Sequence, residues 1–362
     1  MEKGLNPRPE FWAGRSVLVT GHTGFKGGWL VLWLSRLGAK VTGFALEPET
    51  EPSLFGLGAG RHASTIIGDV RDAAALRDCI AACRPDVVFH MAAQALVRPS
   101  YEDPVGTYAT NVMGTVHLLD AVRHTTGVRA VVAVTSDKCY ENQEWLWAYR
   151  ENEPMGGHDP YSSSKGCAEL VVQAFRASFF ANRAGCAVAT GRAGNVIGGG
   201  DWSKDRLVPD MVRSFARKEA VEIRSPGAVR PWQHVLEPLS GYMALAEQLA
   251  TDHGHDYAEA WNFGPPECDC RPVSDLVESL SRRWGEGASW RLSDQPHPHE
   301  AMTLKVDASK ARARLDWQPR LDIEDALAWT ADWYRAQSNG TSAVDLTLSQ
   351  IERYEARGRP QS

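Results

Sequence analysis

An α/β fold built on a doubly wound parallel sheet is what this sequence predicts, and three observations carry it. Short apolar, β-branched runs recur at 16–20, 40–46, 64–69, 86–93, 129–136 and 186–192. Helical patterns separate them, and the runs are continuously apolar rather than half-polar, as strands covered on both faces require. Beyond residue 192 the texture changes to Gly, Pro, Arg and Trp, which suits a smaller, loop-rich substrate-binding domain over the mouth of the sheet.

The elements follow in order. SVLVT (16–20) is the first strand, GHTGFKGGWLVLWLSRLG a glycine turn opening a helix that stops at Gly38, and KVTGFAL (40–46) the second strand, together one βαβ unit. The spacing predicts further helices over 72–83, 104–124 and 160–182. We therefore expect a Rossmann-type dinucleotide-binding domain over 1–192, a mainly substrate-binding region over 193–340 with some segments returning to the first domain, and a helical tail over 341–362 with a polar, frayed end.

Composition narrows the function. The 362 residues are 43% hydrophobic and carry a formal net charge of −6, with no basic run of the kind that neutralises phosphates, so nucleic acid is not an expected partner. No stretch approaches the roughly 18 apolar residues of a spanning helix, and the opening MEKGLNPRPEFWAG lacks a signal-type apolar core; no membrane role and a cytoplasmic location are expected. Seven scattered cysteines make poor disulfide or zinc spacing, so they are read as reduced and no metal is expected.

Gly21, Gly24 and Gly27 form G-x-x-G-x-x-G between a strand and a helix. Such glycines let the backbone approach a pyrophosphate, and the helix N-terminus favours its charge. An acidic residue is expected at the end of the second strand to hold the ribose, but Ala45 and Leu46 stand there. Either Glu47 serves from one turn later or the ribose is held more loosely. No Arg follows the strand to pair with a 2′-phosphate, so NAD is expected over NADP. Asp69 either accepts a hydrogen bond from the adenine amino group or caps a helix together with Asp72.

Tyr161 and Lys165 in DPYSSSKGCAE are four apart at a helix start and share one face. A tyrosine used as a base near neutrality needs its pKa of about 10 lowered by about three units, roughly 4 kcal/mol, and a nearby ammonium can supply part of that. Asp137 and Lys138, in TSDKCY at the end of the fifth strand, are either a surface ion pair or an acid and a base. Successive strand residues point to opposite faces, so a tight pair between them would require a turn.

TGHTGFKG, Asp69, HMAAQ, TSDKCY, YSSSK and RAGNVIGGGD occur here in an order that resembles the extended short-chain dehydrogenases/reductases acting on nucleotide sugars, over nearly the whole length. Within them the chain is similar to the sugar-nucleotide 4,6-dehydratases, with Ser136, Asp137 and Lys138 at the positions of their Thr-Asp-Glu triplet and lysine in place of the glutamate. The resemblance implies oxidation of a sugar at C4 by NAD with Tyr161 as base and Ser136 and Lys165 orienting O4, then loss of water with Asp137 as acid and Lys138 as C5 base, in deoxysugar supply such as that of lipopolysaccharide O-antigen. It implies cofactor contacts at Gly21, Thr23, Gly24, Phe25, Lys26, Gly27, Asp69, Val70, Ala92, Ala93 and Asn111. Substrate contacts are implied at Gln94, Asn195, Arg206, Arg230, Trp232, His234 and His299. A homodimer or homotetramer through the helices near 104–124 and 160–182 is likewise implied. A 4-epimerase of the same class would need no acid and base at 137 and 138, and a non-catalytic nucleotide-binding protein would need no perturbed Tyr161.

Overall fold

The computed structural model describes residues 6–357 except 182, 184, 286 and 295–300. Its centre is a seven-stranded sheet formed by β1 (Ser16–Thr20), β2 (Lys40–Ala45), β3 (Ser64–Ile67), β4 (Val87–His90), β5 (Ala130–Val134), β6 (Ala187–Arg192) and β7 (Ala260–Asn262). The order is β7-β6-β5-β4-β1-β2-β3 and every pairing is parallel. Strands are added outward from β1 in one direction up to β3 and in the other from β4 onward, so the crevice above the carboxyl ends of β1 and β4 is where such sheets bind ligands.

Strand alternation divides the apolar runs between two layers. Val17, Val19, Val87, Phe89, Val132 and Ala189 face one core, packed by α1 (Phe25–Arg36) and α5 (Leu236–Leu249). Leu18, Val88, Val131, Ala133 and Val188 face the other, packed by α2 (Ala73–Cys83), α3 (Gly114–Arg123) and α4 (Pro160–Phe175). The caps are those the sequence supplies: Asp72 accepts from Ala74 and Ala75 N–H, and Asp159, before Pro160, accepts from Ser162 N–H at 2.9 Å.

Three local features differ from the sequence expectation. β3 lies at the sheet edge and is exposed along its whole length, so not every strand is covered. The predicted 104–124 helix is a short helix Pro104–Tyr108, a wide turn Ala109–Met113 and then α3; α4 likewise runs into a wide turn, Arg176–Phe180. Such turns insert a residue and rotate the chain beyond them.

After β6 the chain forms small two-stranded ladders, Val196–Ile197 with Gln233–His234, Val229–Pro231 with Cys270–Pro272, and Ala220–Ile223 with Ser289–Leu292, and returns to the sheet as β7. α6 (Ile323–Ser338) and α7 (Ala343–Ala356) close the other side. α1 is apolar nearly all round, which forces burial on every side. α7 completes it: Trp33 donates to Glu355 at 2.8 Å, Trp333 to Thr347 at 3.1 Å and the Tyr354 hydroxyl to Glu237 at 2.7 Å. The tail helix is thus anchored in the core; its polar end, 358–362, lies outside the described residues. No helix among the described residues is long and apolar enough to cross a membrane, and all seven cysteines are free.

Glu237 is fully buried on α5, where it accepts from Arg320 N–H, Leu321 N–H and Tyr354. Burial pushes its carboxyl up to about 7 despite these donors. The folded protein therefore holds a proton on Glu237 that the unfolded chain releases near the ordinary carboxylate value. That contribution to stability is full below about 4.5 and is lost as pH rises through about 7, on the order of 3 kcal/mol. Thermal melts of the wild type and Glu237→Gln across pH 5–8 should show a downward slope in the former that the latter lacks; equal slopes would exclude Glu237 as its source.

Candidate active site

The crevice is a cavity of ≈ 740 Å³ between the sheet ends and the C-terminal ladders. Its first wall is the turn after β1. Gly21 sits at φ +74°, and a Cβ there would come within 2.7 Å of Ala92 N. A Cβ on Gly27 would overlap the carbonyl of Gly21. Gly24 caps α1 without a side chain to offer, so the first N–H groups of the helix receive no side-chain cap. Gly21 and Gly27 admit no side chain, so the turn presents bare backbone and the cradle fits the pyrophosphate of a dinucleotide. Thr23, Phe25 and Lys26 line the same wall, with Thr23 Oγ1 donating to Leu46 O at 2.9 Å.

Asp69, Val70, Ala92 and Ala93 line the adjoining part. Asp69 accepts from Arg71 N–H and Nε, both at 2.8 Å, and that partner holds its carboxyl below the usual range. Asp72 is the cap of α2, which leaves Asp69 facing the cavity as an anion. Beyond β2, Ala45 and Leu46 form the wall, and Glu47 and Glu49 project from the following loop.

The second wall carries the acid–base candidates. The chain turns immediately after β5 into a tight single turn, Asp137–Cys139, capped by Ser136. Ser136 Oγ donates to Asp137 Oδ1 at 2.9 Å and accepts from Lys138 N–H at 3.2 Å. Among the described residues no ion pair joins Asp137 to Lys138, and Asp137 Oδ2 is buried without a partner. Asp137 is 2% exposed and Lys138 half-buried, and both line the cavity. The surface-pair alternative is therefore not what the fold builds.

Tyr161 and Lys165 enter from the first turns of α4, buried and facing the same cavity. Burial pushes the phenol up to about 12, opposed by the Ser136 hydroxyl beside it. Burial likewise lowers the Lys165 amine to about 8, and its Nζ donates to Val134 O at 3.5 Å. The lowered pKa that the sequence reading asks of Tyr161 is therefore not a property of the protein by itself, where burial raises the phenol. Lys26 is a third cavity amine, brought down to about 7 by burial and by Arg206 and Lys165, against Asp137 and Asp201.

Asn195, Gln94, Arg206, Arg230 and Trp232 all line the cavity. Arg206 pairs with Asp201 at 3.0 Å. Arg230 directs its fork at backbone, donating to Val229 O at 2.9 Å and Ala301 O at 2.5 Å. Gln94 folds back on its own loop, its amide donating to Leu96 O at 2.9 Å.

Two predicted contacts are corrected. His234 lies in the core with its ring edge-on between Trp29 and Trp329, 5.6 and 5.8 Å between centroids, and Nδ1 accepts from Leu236 N–H. Burial lowers it to about 3, so it is neutral and outside the cavity. Asn111 is behind the wall, placed there by the wide turn: its amide donates to Gln94 O at 2.9 Å and Ser164 Oγ at 2.8 Å, bracing the loop against α4. His299 lies outside the described residues.

The sequence reading missed Gly194, although its neighbours were singled out. A Cβ at 194 would overlap the Asp137 carboxylate, so this glycine is the seat of the candidate acid. It also missed Asp201, whose GGGDW context was visible but whose partner Arg206 was not.

A parallel sheet with a glycine turn at its switch point and a Tyr-x-x-x-Lys helix facing it defines an extended short-chain dehydrogenase/reductase. The chain belongs to the GDP-mannose 4,6 dehydratase family, which it matches over residues 18–330. It is 54% identical to the CDP-glucose 4,6-dehydratase of Salmonella typhimurium, over 95% of this chain and 97% of that one. It is 27% identical to the dTDP-glucose 4,6-dehydratase of Xanthomonas campestris pv. campestris strain ATCC 33913, over 94% and 98%. The solved dTDP-glucose 4,6-dehydratase of Bacillus anthracis, in complex with NAD, shares the fold at a TM-score of 0.73 and 21% identity, covering 91% of this chain and 99% of that one.

Gly194→Ala should displace the Asp137 carboxyl without disturbing the sheet. We expect turnover to fall about 100-fold, an effect of about 2.7 kcal/mol on the barrier, with an unchanged circular dichroism spectrum. Wild-type turnover in this variant would refute the assigned seat.

Proposed function

We propose that the protein converts CDP-D-glucose to CDP-4-dehydro-6-deoxy-D-glucose and water, with NAD held in the glycine turn. The observation that carries this is the convergence of Ser136, Asp137 and Lys138 with Tyr161 and Lys165 on one cavity whose opposite wall fits a pyrophosphate. The cytidine base rests on the 54% identical relative from Salmonella.

NAD, when bound, accepts hydride from the sugar and later returns it. Gly21, Thr23, Gly24, Phe25, Lys26 and Gly27 would hold its pyrophosphate, with Asp69, Val70, Ala92 and Ala93 toward its adenosine. Tyr161 takes the proton from O4, with the Ser136 hydroxyl donating to that oxygen and Lys165 stabilising the phenolate. The resulting 4-ketone acidifies the C5 hydrogen, which the Lys138 amine removes. Asp137 delivers a proton to the departing C6 hydroxyl, so that water leaves, and the Lys138 ammonium gives its proton back to C5 as the hydride returns to C6, which completes the 6-deoxy sugar. Arg206 and Trp232 would face the nucleotide end, where an arginine fork suits a diphosphate, and Arg230 would reach it only by giving up bonds to backbone carbonyls.

The same reading places the enzyme in the cytoplasm, where nucleotide sugars and reduced cysteines are found, as a source of deoxysugars such as those of lipopolysaccharide O-antigen. Val105, Met113, Leu170 and Phe179 are exposed on the segments read as the homodimer surface.

Incubation with CDP-glucose, and separately with dTDP-glucose and GDP-mannose, tests the reading: the alkali-sensitive absorbance of a 4-keto sugar should develop with the first and weakly or not at all with the others. Absence of product from all three would end the dehydratase assignment. Lys138→Met should still oxidise C4 and lose exchange of the C5 hydrogen with deuterated solvent; exchange at the wild-type rate would remove Lys138 as the base.

A further inference from the structure

Glu169 is one turn beyond Lys165 and two beyond Tyr161 on α4, yet it lies outside the cavity, 4% exposed. Its carboxylate accepts from Thr135 Oγ1 at 2.5 Å, Thr190 Oγ1 at 2.8 Å, and Arg192 Nε and an Arg192 terminal nitrogen, each at 2.8 Å. Arg192 passes the connection on, donating to the Tyr140 hydroxyl at 2.8 Å and to Glu151 O at 3.1 Å. Tyr140 in turn donates to Asn262 Oδ1 at 2.7 Å. Thr135 immediately precedes Ser136, and Tyr140 immediately follows Cys139. One ion pair thereby grips both ends of the turn that bears Asp137 and Lys138, from the helix that bears Tyr161 and Lys165. Close backbone packing leaves little room for slack: a Cβ on Gly166 of α4 would come within 3.2 Å of Cys139 O.

We propose that the Glu169–Arg192 pair is a positioning device for the reaction, fixing the acid–base turn against the Tyr–Lys helix through Thr135 at one end and Tyr140 at the other. This rests on the function proposed above. Purely structural ion pairs also occur in cores, and a buried pair by itself is weak grounds for a stability role. What distinguishes this one is that its outer hydrogen bonds go to the two residues bracketing the turn. It has a second consequence. The ionisable groups facing Lys165 are Glu169 on its own helix, Cys139 from the turn, His90 from the end of β4 and Lys26 from the glycine turn. Burial keeps His90 neutral, at about 3, and the Cys139 thiol protonated, so Glu169 is the negative charge that favours the Lys165 cation.

The test uses the full chain with CDP-glucose and NAD. Thr135→Val and Tyr140→Phe each cut one connection and leave the ion pair in place. The double variant should lose about 10- to 100-fold in kcat, with KM changed less than about threefold and the thermal midpoint lowered by only a few degrees, so that it is fully folded at the assay temperature. Thr135→Ser, which restores the hydroxyl, should keep the wild-type kcat. Glu169→Gln, where it folds, should move the alkaline limb of kcat/KM to lower pH, since Lys165 then loses its proton sooner. An unimpaired double variant, a Thr135→Ser as slow as Thr135→Val, or an unmoved alkaline limb would each overturn the proposal. Failure of the wild type to form the 4-keto sugar would instead overturn the function on which it rests.

Discussion

The buried ion pair between Glu169 and Arg192 is the interaction on which the floor of the cavity depends. Placing two charges where each is 4% exposed costs several kcal/mol per ion, a penalty offset only if the geometry is close and the remaining oxygens and protons are satisfied. Here both carboxylate oxygens accept two donors each, and Arg192 reaches three different partners. Removing one partner would leave the other uncompensated, about 3–5 kcal/mol, so the pair exists as a unit or not at all. β5, β6 and α4 are joined by it, and the turn after β5 and the start of α4 inherit its rigidity.

That rigidity matters because the parallel topology delivers every reactive group from a different segment. The glycine turn follows β1, the loop with Ala92 and Ala93 follows β4, Asp137 and Lys138 follow β5, and Tyr161 comes from a helix. Each loop would drift independently without cross-bracing. The braces are polar and lie behind the wall: Asn111 ties the post-β4 loop to Ser164, and the ion pair ties the post-β5 turn to the same helix. Across the mouth, Arg98 and Asp205 meet at 3.1 Å and link the sheet side to the C-terminal side. Basic groups, among them Lys26, Lys165 and Arg206, share a space with Asp137 and Asp201. A pocket so lined suits ligands that carry phosphates while keeping carboxylates available for proton transfer.

What was legible in the sequence was whatever local periodicity determines. The six strand runs, the glycine turn and the i,i+4 relation of Tyr161 and Lys165 are properties of contiguous residues, and the backbone realises them. His234 was not legible because its place is decided by Trp29 and Trp329, far away in the chain, which enclose it from both sides. Motif position brought it near the substrate region; burial between two indoles withdrew it. Gly194 was invisible for the opposite reason, since its role is a space that only the folded position of Asp137 reveals. Glu169 stands in the YSSSKGCAE run itself, but its meaning depends on an arginine at the end of β6.

Asp137 shows how such spacing becomes chemistry. One carboxyl oxygen is engaged by Ser136 Oγ, and the other is buried, pressed toward Gly194 and without a partner. A core would not retain that arrangement for stability, because an unsatisfied buried acceptor costs about 1–3 kcal/mol. The turn that creates it is held by bonds outside the cavity, so the cost is imposed by the scaffold rather than relieved by local rearrangement. A carboxyl with one oxygen anchored and the other buried without a partner keeps a place for the proton that the proposed role requires. Its neighbour Lys138, projecting from the same turn, is free of it as an ion-pair partner for the same geometric reason, and the two side chains can then act on different atoms of one substrate.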